Sequence, residues 1–311
     1  MNFIMQSFSG YLTALITPFA NGKVDFAAFE KFVAWQCEQN IHGLVPCGTT
    51  GESPTLSFSE TEELIKRTIA TRNGSSKKIP VIAGTGSNDT ARTVETTKLA
   101  EQLGADAALI VTPYYNKPTQ DGLYAHYKFI HDQTNIPIIL YNVPGRTAVD
   151  MSLDTIIRLS ALPRIVGLKD AVSDLSRVTL LKRSIKNSFA LLCGEDGLAA
   201  GYLAQGGHGC ISVTSNIAPA LCAALYEAWL KNDKEQFETI QSWLAPLHKN
   251  LFIETSPAPV KYAASVLGFG SDEMRLPLLP ATQTTRTIID SLLNDLQMLE
   301  QNSNPPLKAA M

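Results

Sequence analysis

Eight short apolar runs, each followed by a stretch with helical periodicity, constrain this chain more than any other feature. They read YLTALITP (11–18), HGLVPCG (42–48), IPVIAGTG (79–86), DAALIVTP (106–113), IPIILYNVP (136–144), RIVGLK (164–169), FALLCG (189–194) and GCISVTS (209–215). Each is apolar almost throughout instead of alternating. Strands covered on both faces, as in parallel sheets, read this way.

The gaps carry helix signals. In SETEELIKRTIA, Ser59 and Glu62 have the spacing of a capping box, Leu64, Ile65, Thr68 and Ile69 share one face, and Gly74 can end the helix. DFAAFEKFVAWQ sets Phe26, Phe29, Phe32 and Val33 at helical spacing. SLDTIIRLS and DLSRVTLLKRS open on the capping residues Ser152 and Asp174. Parallel strands need such crossovers, and eight of them predict a closed (β/α)8 TIM barrel.

After residue 216 the pattern is helical only. PALCAALYEAWLKND suits the last barrel helix, and three further amphipathic stretches predict an appended helical bundle. The expected organisation is a catalytic barrel over 8–231, a C-terminal helical domain over 232–298 and a disordered tail over 299–311, where QNSNPPLKAAM offers few anchors.

Charge narrows the partners. The net charge is −3, with 26 basic and 29 acidic residues mixed along the chain, so no basic arm points to nucleic acid or a membrane surface. The five cysteines are odd in number and form no CxxC pair, which fits a reducing compartment. No basic residue precedes Lys23, unlike the start of a signal peptide, and no run approaches the roughly 18 apolar residues of a membrane span. A soluble cytoplasmic protein is expected.

In such barrels the chemistry lies at the C-terminal ends of the strands. Those ends read CGTTGES, TPYYNKP, YNVPGRT, GLKDA and CGEDG. Lys169 is the anomaly, an ammonium ending an apolar strand. An apolar surround disfavours the charged form, and a neutral amine can attack a carbonyl to form a Schiff base. The alternative is a lysine that reaches solvent and pairs with Asp170. Tyr141 ends the neighbouring strand and could relay protons, or be a core tyrosine with a satisfied hydroxyl. Arg146 suits a carboxylate, or is a surface arginine. The glycines of CGTTGES can turn backbone N–H groups toward an anion, although the P-loop spacing is absent. Tyr114 and Tyr115 could equally pack at an interface. The five histidines make no HxH or HExxH arrangement, and no GxGxxG opens the chain, so neither a metal nor a dinucleotide is expected. Cys47 reads as ordinary packing.

Together, GTTGES, TPYYNKP, YNVPGRT, GLKDA, GGHGCISVTSN and SPAPVK resemble the dihydrodipicolinate synthase family, pyruvate-dependent class I aldolases related to N-acetylneuraminate lyase. The resemblance runs from about residue 8 to about residue 298 with motifs in family order. It implies that Lys169 forms an imine with pyruvate and that the Thr49 and Thr50 N–H groups bind the pyruvate carboxylate. It implies a proton relay of Thr50, Tyr141 and a tyrosine from a neighbouring subunit, mapping to Tyr115. Arg146 would bind the carboxylate of L-aspartate 4-semialdehyde, and the main chain at Gly194 and Ile211 would line the pyruvate pocket. No cofactor beyond the covalent imine and no metal is implied. The implied assembly is a homotetramer, a dimer of tight dimers, and the implied product is 4-hydroxy-tetrahydrodipicolinate on the diaminopimelate route to lysine.

One departure stands out. Lysine-inhibited members carry a histidine and a glutamate in an allosteric pocket where Thr61 and Arg92 fall here, and Phe58 replaces a polar residue, while Ser53, Asn88 and Tyr114 are kept. An arginine facing a ligand ammonium is repulsive, so weak or absent inhibition by lysine is expected. Two rivals remain open. One is the same imine with another aldehyde, as in N-acetylneuraminate lyase or keto-sugar aldolases. The other is a non-catalytic barrel that binds a keto acid.

Overall fold

The computed structural model describes residues 8–302, with side chains as far as Met298. Each apolar run holds one barrel strand. They are β1 (Gly10–Ala14), β2 (Gly43–Val45), β3 (Ile82–Gly84), β4 (Ala107–Val111), β5 (Ile138–Asn142), β6 (Ile165–Asp170), β7 (Ala190–Cys193) and β8 (Gly209–Ser212). They form one parallel eight-stranded sheet in the order β2-β1-β8-β7-β6-β5-β4-β3, the cyclic order of a (β/α)8 TIM barrel. In β1, β2 and β5 to β8 every residue is buried, as the unbroken apolar runs require of a sheet covered on both faces.

Close strand packing explains one glycine. A Cβ on Gly167, mid-strand in β6, would lie 2.9 Å from the Ala190 carbonyl oxygen of β7. Only glycine lets the two backbones approach so closely there.

By Cα packing the chain divides into two units. Among the described residues, Pro80–Ile211 with Phe8–Gly10 forms the first, and Tyr11–Ile79 with Ser212–Asn302 forms the second. The first unit contains the crossover helices Thr90–Leu103, Gln120–Gln133, Leu153–Ser160, Ser176–Ser184 and the short Ala199–Ala204. Ser152 caps its helix as expected, accepting from the Thr155 N–H. Asp174 stands one residue further out than expected. The helix starts at Ser176 after Leu175, and the Asp174 carboxylate accepts from both the N–H and the hydroxyl of Ser176, at 2.9 and 2.6 Å.

The second unit carries helices Phe26–Glu38, Phe58–Gly74, Pro219–Leu230, Lys234–Asn250, Ala258–Val266 and Gln283–Asn302. Phe29, Phe32 and Val33 are buried while Phe26 is half-buried. Residues 303–311 of the expected disordered tail lie outside the described residues. A short hairpin, Phe19–Ala20 against Lys23–Val24, was not expected from the runs, although Asn21-Gly22 carries its signal. Both turn residues have positive φ, 53° and 76°, as a type I′ turn demands. Among the described residues no helix is long and apolar enough to cross a membrane.

One capping assignment is corrected. The helix 58–74 begins two residues earlier than the Ser59–Glu62 reading, and its capping box is Ser57 with Glu60. The Glu60 N–H donates to the Ser57 hydroxyl at 3.2 Å, and the Ser57 N–H donates to Glu60 at 2.8 Å. A tertiary partner favours this register. Arg275 grips both Glu60 oxygens, at 2.8 and 2.5 Å. That guanidinium holds the Glu60 carboxyl at about 2, down from 4.5. A depressed carboxylate contributes stability that is present above its unfolded pKa and lost as pH falls through its folded one. Glu60→Gln is therefore expected to lower the thermal midpoint at pH 6, and the gap to the parent protein should close between pH 4.5 and about 2. A gap that stays constant over this range in thermal melts would contradict the assignment.

Candidate active site

The first unit holds the lysine. β6 pairs with β5 in parallel register, Tyr141 opposite Lys169 and Asn142 opposite Asp170, and β7 places Leu192 on the other side of Lys169. Lys169 is 6% exposed, as is Tyr141. Its Nζ lies 4.3 Å from the centroid of the Tyr141 ring. Among the described residues Lys169 makes no ion pair, so the solvent-reaching lysine paired with Asp170 is not what the fold builds. The amine meets the Tyr141 ring face instead.

Asp170 faces elsewhere because successive strand residues point to opposite faces. Its carboxylate accepts from Arg177 Nε at 2.9 Å and from Asn142 Nδ2 at 3.0 Å. Arg177 also donates to the Met151 carbonyl at 3.0 Å, and Asn142 bonds Asp150 and the Met151 N–H. The ends of β5 and β6 are thus clamped by the residues that directly follow Tyr141 and Lys169. Burial pushes the Asp170 carboxyl up, while Arg177 and Asn142 draw it back down.

The main chain of Gly194 is drawn onto the same strand end. Its N–H donates to the Asp170 carbonyl at 2.8 Å, and a Cβ there would stand 2.8 Å from the Ala171 Cβ. Ile211 is buried on β8, one residue past the Cys210–Cys193 pairing with β7. Arg146 sits on a single helical turn, Pro144–Thr147, that leaves β5 through Val143.

Sequence reasoning passed over Glu195. Burial and the neighbouring Asp196 push its carboxyl up, and the charges of Lys169 and Arg146 pull it down. It therefore sits within the electrostatic reach of both cations. The signal was available in CGEDG at the end of β7, the only one of these strand ends with two adjacent carboxylates.

Tyr115 is not brought to Lys169. It stands 89% exposed with φ at +72°, a conformation that non-glycine residues avoid. The loop is braced by Asn116, whose Nδ2 donates to the Asn88 carbonyl at 2.9 Å.

The second unit contains the turn after β2. Ser53 and Gly51 donate their N–H groups to the Gly48 carbonyl at 3.3 and 3.1 Å, and Glu52 donates to the Thr49 carbonyl at 3.1 Å. The turn therefore closes around Thr49 and Thr50, whose own N–H groups donate to no described residue. Thr50 is buried and Thr49 half-buried. Two consecutive undirected N–H groups in a tight turn suit an anion. Cys47 is buried, and desolvation pushes its thiol up to about 12. It carries no thiolate at neutral pH, which agrees with the packing role expected of it.

Comparison with known proteins adds to this geometry. The family model described as the dihydrodipicolinate synthetase family matches residues 7–296. A 4-hydroxy-tetrahydrodipicolinate synthase of Rhodospirillum centenum is 53% identical over 286 residues, 92% of this chain and 97% of that one. The structure of a chloride-inhibited dihydrodipicolinate synthase from Acinetobacter baumannii, complexed with pyruvate, is 44% identical and superposes with a TM-score of 0.89 over 93% of this chain and 99% of that one. An enzyme of the same name from Cyanidioschyzon merolae, with lysine bound, is 35% identical with a TM-score of 0.90 over 94% and 99% of the two chains.

The clamp behind Lys169 generates a stability prediction. Arg177→Met leaves the Asp170 carboxylate buried without its cation and is expected to cost about 3–5 kcal/mol in urea unfolding. Arg177→Met with Asp170→Asn should recover most of that loss. A single variant within ~1 kcal/mol of the parent would show the pair to be solvated.

Proposed function

Because the chain belongs to the dihydrodipicolinate synthetase family, we propose that it is a lyase condensing pyruvate with L-aspartate 4-semialdehyde to 4-hydroxy-tetrahydrodipicolinate, on the diaminopimelate route to lysine. The observation that carries the chemistry is Lys169, buried without a carboxylate partner among the described residues and facing the Tyr141 ring at 4.3 Å. Such a lysine suits imine formation.

Lys169 Nζ attacks C2 of pyruvate, and the carbonyl oxygen leaves as water. Loss of a methyl proton gives an enamine, whose carbon attacks the semialdehyde carbonyl. The aldehyde oxygen becomes a hydroxyl. The amino group of the adduct then attacks the imine carbon and displaces Lys169, closing the ring. One water is released overall, and no external cofactor or metal is needed. Tyr141 and Thr50 pass protons to the pyruvate oxygen that leaves as water, from the methyl carbon and to the aldehyde oxygen, with Tyr115 completing the relay from a second copy of the chain. Thr49 and Thr50 hold the pyruvate carboxylate by their N–H groups, and the main chain at Gly194 and Ile211 borders the keto acid. Arg146 takes the carboxylate of the semialdehyde as a bidentate partner. The exposure of Tyr115 supports a homotetramer of tight dimers in which this side chain crosses to a neighbour. The working compartment is the cytoplasm, in keeping with five cysteines that form no disulfide among the described residues. The barrel over 8–231 carries the chemistry, and the helical extension over 232–298 supports it.

The sialate-lyase and sugar-aldolase alternatives are not favoured, since the named relatives are synthases. The deciding experiment follows pyruvate consumption by the purified protein with aspartate semialdehyde and, in parallel, with N-acetylmannosamine. Consumption with the semialdehyde alone is expected, and consumption only with the sugar would overturn the substrate assignment. Borohydride should trap pyruvate on Lys169 in the parent protein and not in Lys169→Ala. Tyr141→Phe should lower kcat by about 10²–10³, within the range of general acid–base catalysis. Free lysine at low millimolar concentration should leave the rate nearly unchanged, because Arg92 and Thr61 stand where a histidine and a glutamate would favour the ligand. Strong inhibition there would contradict that assignment.

A further inference from the structure

Two residues in the recognisable motifs have no part in the imine chemistry: Glu52 of CGTTGES and Lys261 of SPAPVK. They meet. Lys261, in the helix Ala258–Val266, is 0% exposed, and its Nζ donates to Glu52 Oε1 at 2.6 Å and to the Glu273 carbonyl at 2.5 Å. The ammonium also lies 4.1 Å from the centroid of the Phe19 ring. The second Glu52 oxygen accepts the Arg275 N–H at 3.2 Å, so both carboxylate oxygens are engaged.

A pair so buried is a poor source of stability. Desolvating both ions offsets most of their attraction, and hydrophobic replacements are often neutral or better. What the pair does is fix a conformation. Glu52 sits in the left-handed region with φ +57° and ψ 37°. A non-glycine residue holds that conformation only when its surroundings impose it. The same turn is held from its other side, where the Thr17 hydroxyl donates to the Gly51 carbonyl at 2.8 Å and a Cβ on Gly51 would stand 3.1 Å from the Leu15 carbonyl oxygen. Thr49 and Thr50 directly precede these two anchored residues, with N–H groups that donate to no described residue.

We propose that Lys261 is a positioning residue: through its buried pair with Glu52 it holds the turn 48–53 so that the Thr49 and Thr50 amides meet the pyruvate carboxylate. The proposal rests on the carboxylate reading of those two threonines. Lys261 touches no substrate. It acts by keeping two donors aimed where the anion arrives, and a misplacement of about 1 Å in such a site can cost up to ~10²-fold.

The test uses a charge-neutral double variant, Lys261→Met with Glu52→Gln, which strands neither ion. Thermal melts check its folding. Borohydride trapping against pyruvate concentration then gives the half-saturation point, and steady-state kinetics give both KM values. The expected result is a folded protein whose half-saturation for pyruvate rises about tenfold, ~1.4 kcal/mol, while the KM for the semialdehyde stays within about twofold. A general loosening would raise both together. A folded double variant with unchanged pyruvate half-saturation overturns the proposal, and so does an equal rise in both KM values. Should the double variant not fold, Glu52→Gln alone, which keeps an oxygen for Lys261, is measured instead. A rise of about threefold is expected, and no rise overturns the proposal. A crystal structure of the parent protein with trapped pyruvate separates this from the reading beneath it. A carboxylate bound away from the two amides overturns the threonine assignment and the proposal together. A carboxylate on the amides with unchanged half-saturation in the variants overturns the proposal alone.

Discussion

The hydrogen-bonded register between β5 and β6 is the constraint on which the rest of the site depends. It sets Tyr141 opposite Lys169 and, one step on, Asn142 opposite Asp170. Because strand side chains alternate, the first pair and the second face opposite sides of the sheet. Among the described residues the lysine is left without a carboxylate partner, while the aspartate takes the arginine. A slip of one residue would exchange the two roles and put the ammonium in the clamp. Close packing of β6 on β7 at Gly167 and the bond from the Gly194 N–H to the Asp170 carbonyl oppose such a slip.

The loops that leave the strands carry the conformational cost. Cys47, Glu52, Tyr115, Lys117 and Ala148 all have positive φ, and all lie after a β-strand end. Such residues cost of the order of 1 kcal/mol each and persist where the surroundings impose them. At Glu52 the imposing partner is a buried lysine. At Ala148 it is the turn of Pro144–Thr147, whose Pro144 carbonyl accepts the Ala148 N–H at 2.9 Å. These loops present Thr49, Thr50, Tyr115 and Arg146, so the strained positions border the residues assigned to chemistry.

Much of this was legible in the sequence, because strand burial and helical spacing are local patterns. All eight runs hold strands, and Leu64, Ile65, Thr68 and Ile69 form the buried face that their spacing predicts. Lys169 was legible as an anomaly for the same reason, a charge where the pattern demanded apolar burial. What local pattern could not decide was the choice between near-identical signals. Ser57–Glu60 and Ser59–Glu62 have the same capping spacing, and the choice fell to Arg275, 215 residues away from Glu60. The alternative pairing of Lys169 with Asp170 fails because neighbours in a strand point to opposite faces. Glu195 was passed over because a carboxylate in a loop, even beside Asp196, carries no periodic signal; its neighbours Lys169 and Arg146 give it meaning.

Each unit places a buried ion pair directly behind residues with an assigned role. Asp170 with Arg177 follows Lys169 in the first, and Glu52 with Lys261 follows Thr49 and Thr50 in the second. Their low net yield in stability explains why apolar packing alone would not serve. An apolar contact tolerates small displacements, because its energy varies gently with position. A desolvated, hydrogen-bonded charge pair does not, since loss of either partner leaves an uncompensated charge. Where a reaction needs an amine or a pair of N–H groups held to a fraction of an ångström, such a pair supplies the stiffness. The segment from Ala258 to Arg275 then has a physical purpose in the second unit: it is the source of Lys261 and Arg275, the two cations that converge on the carboxylates of Glu52 and Glu60 and on the face of Phe19.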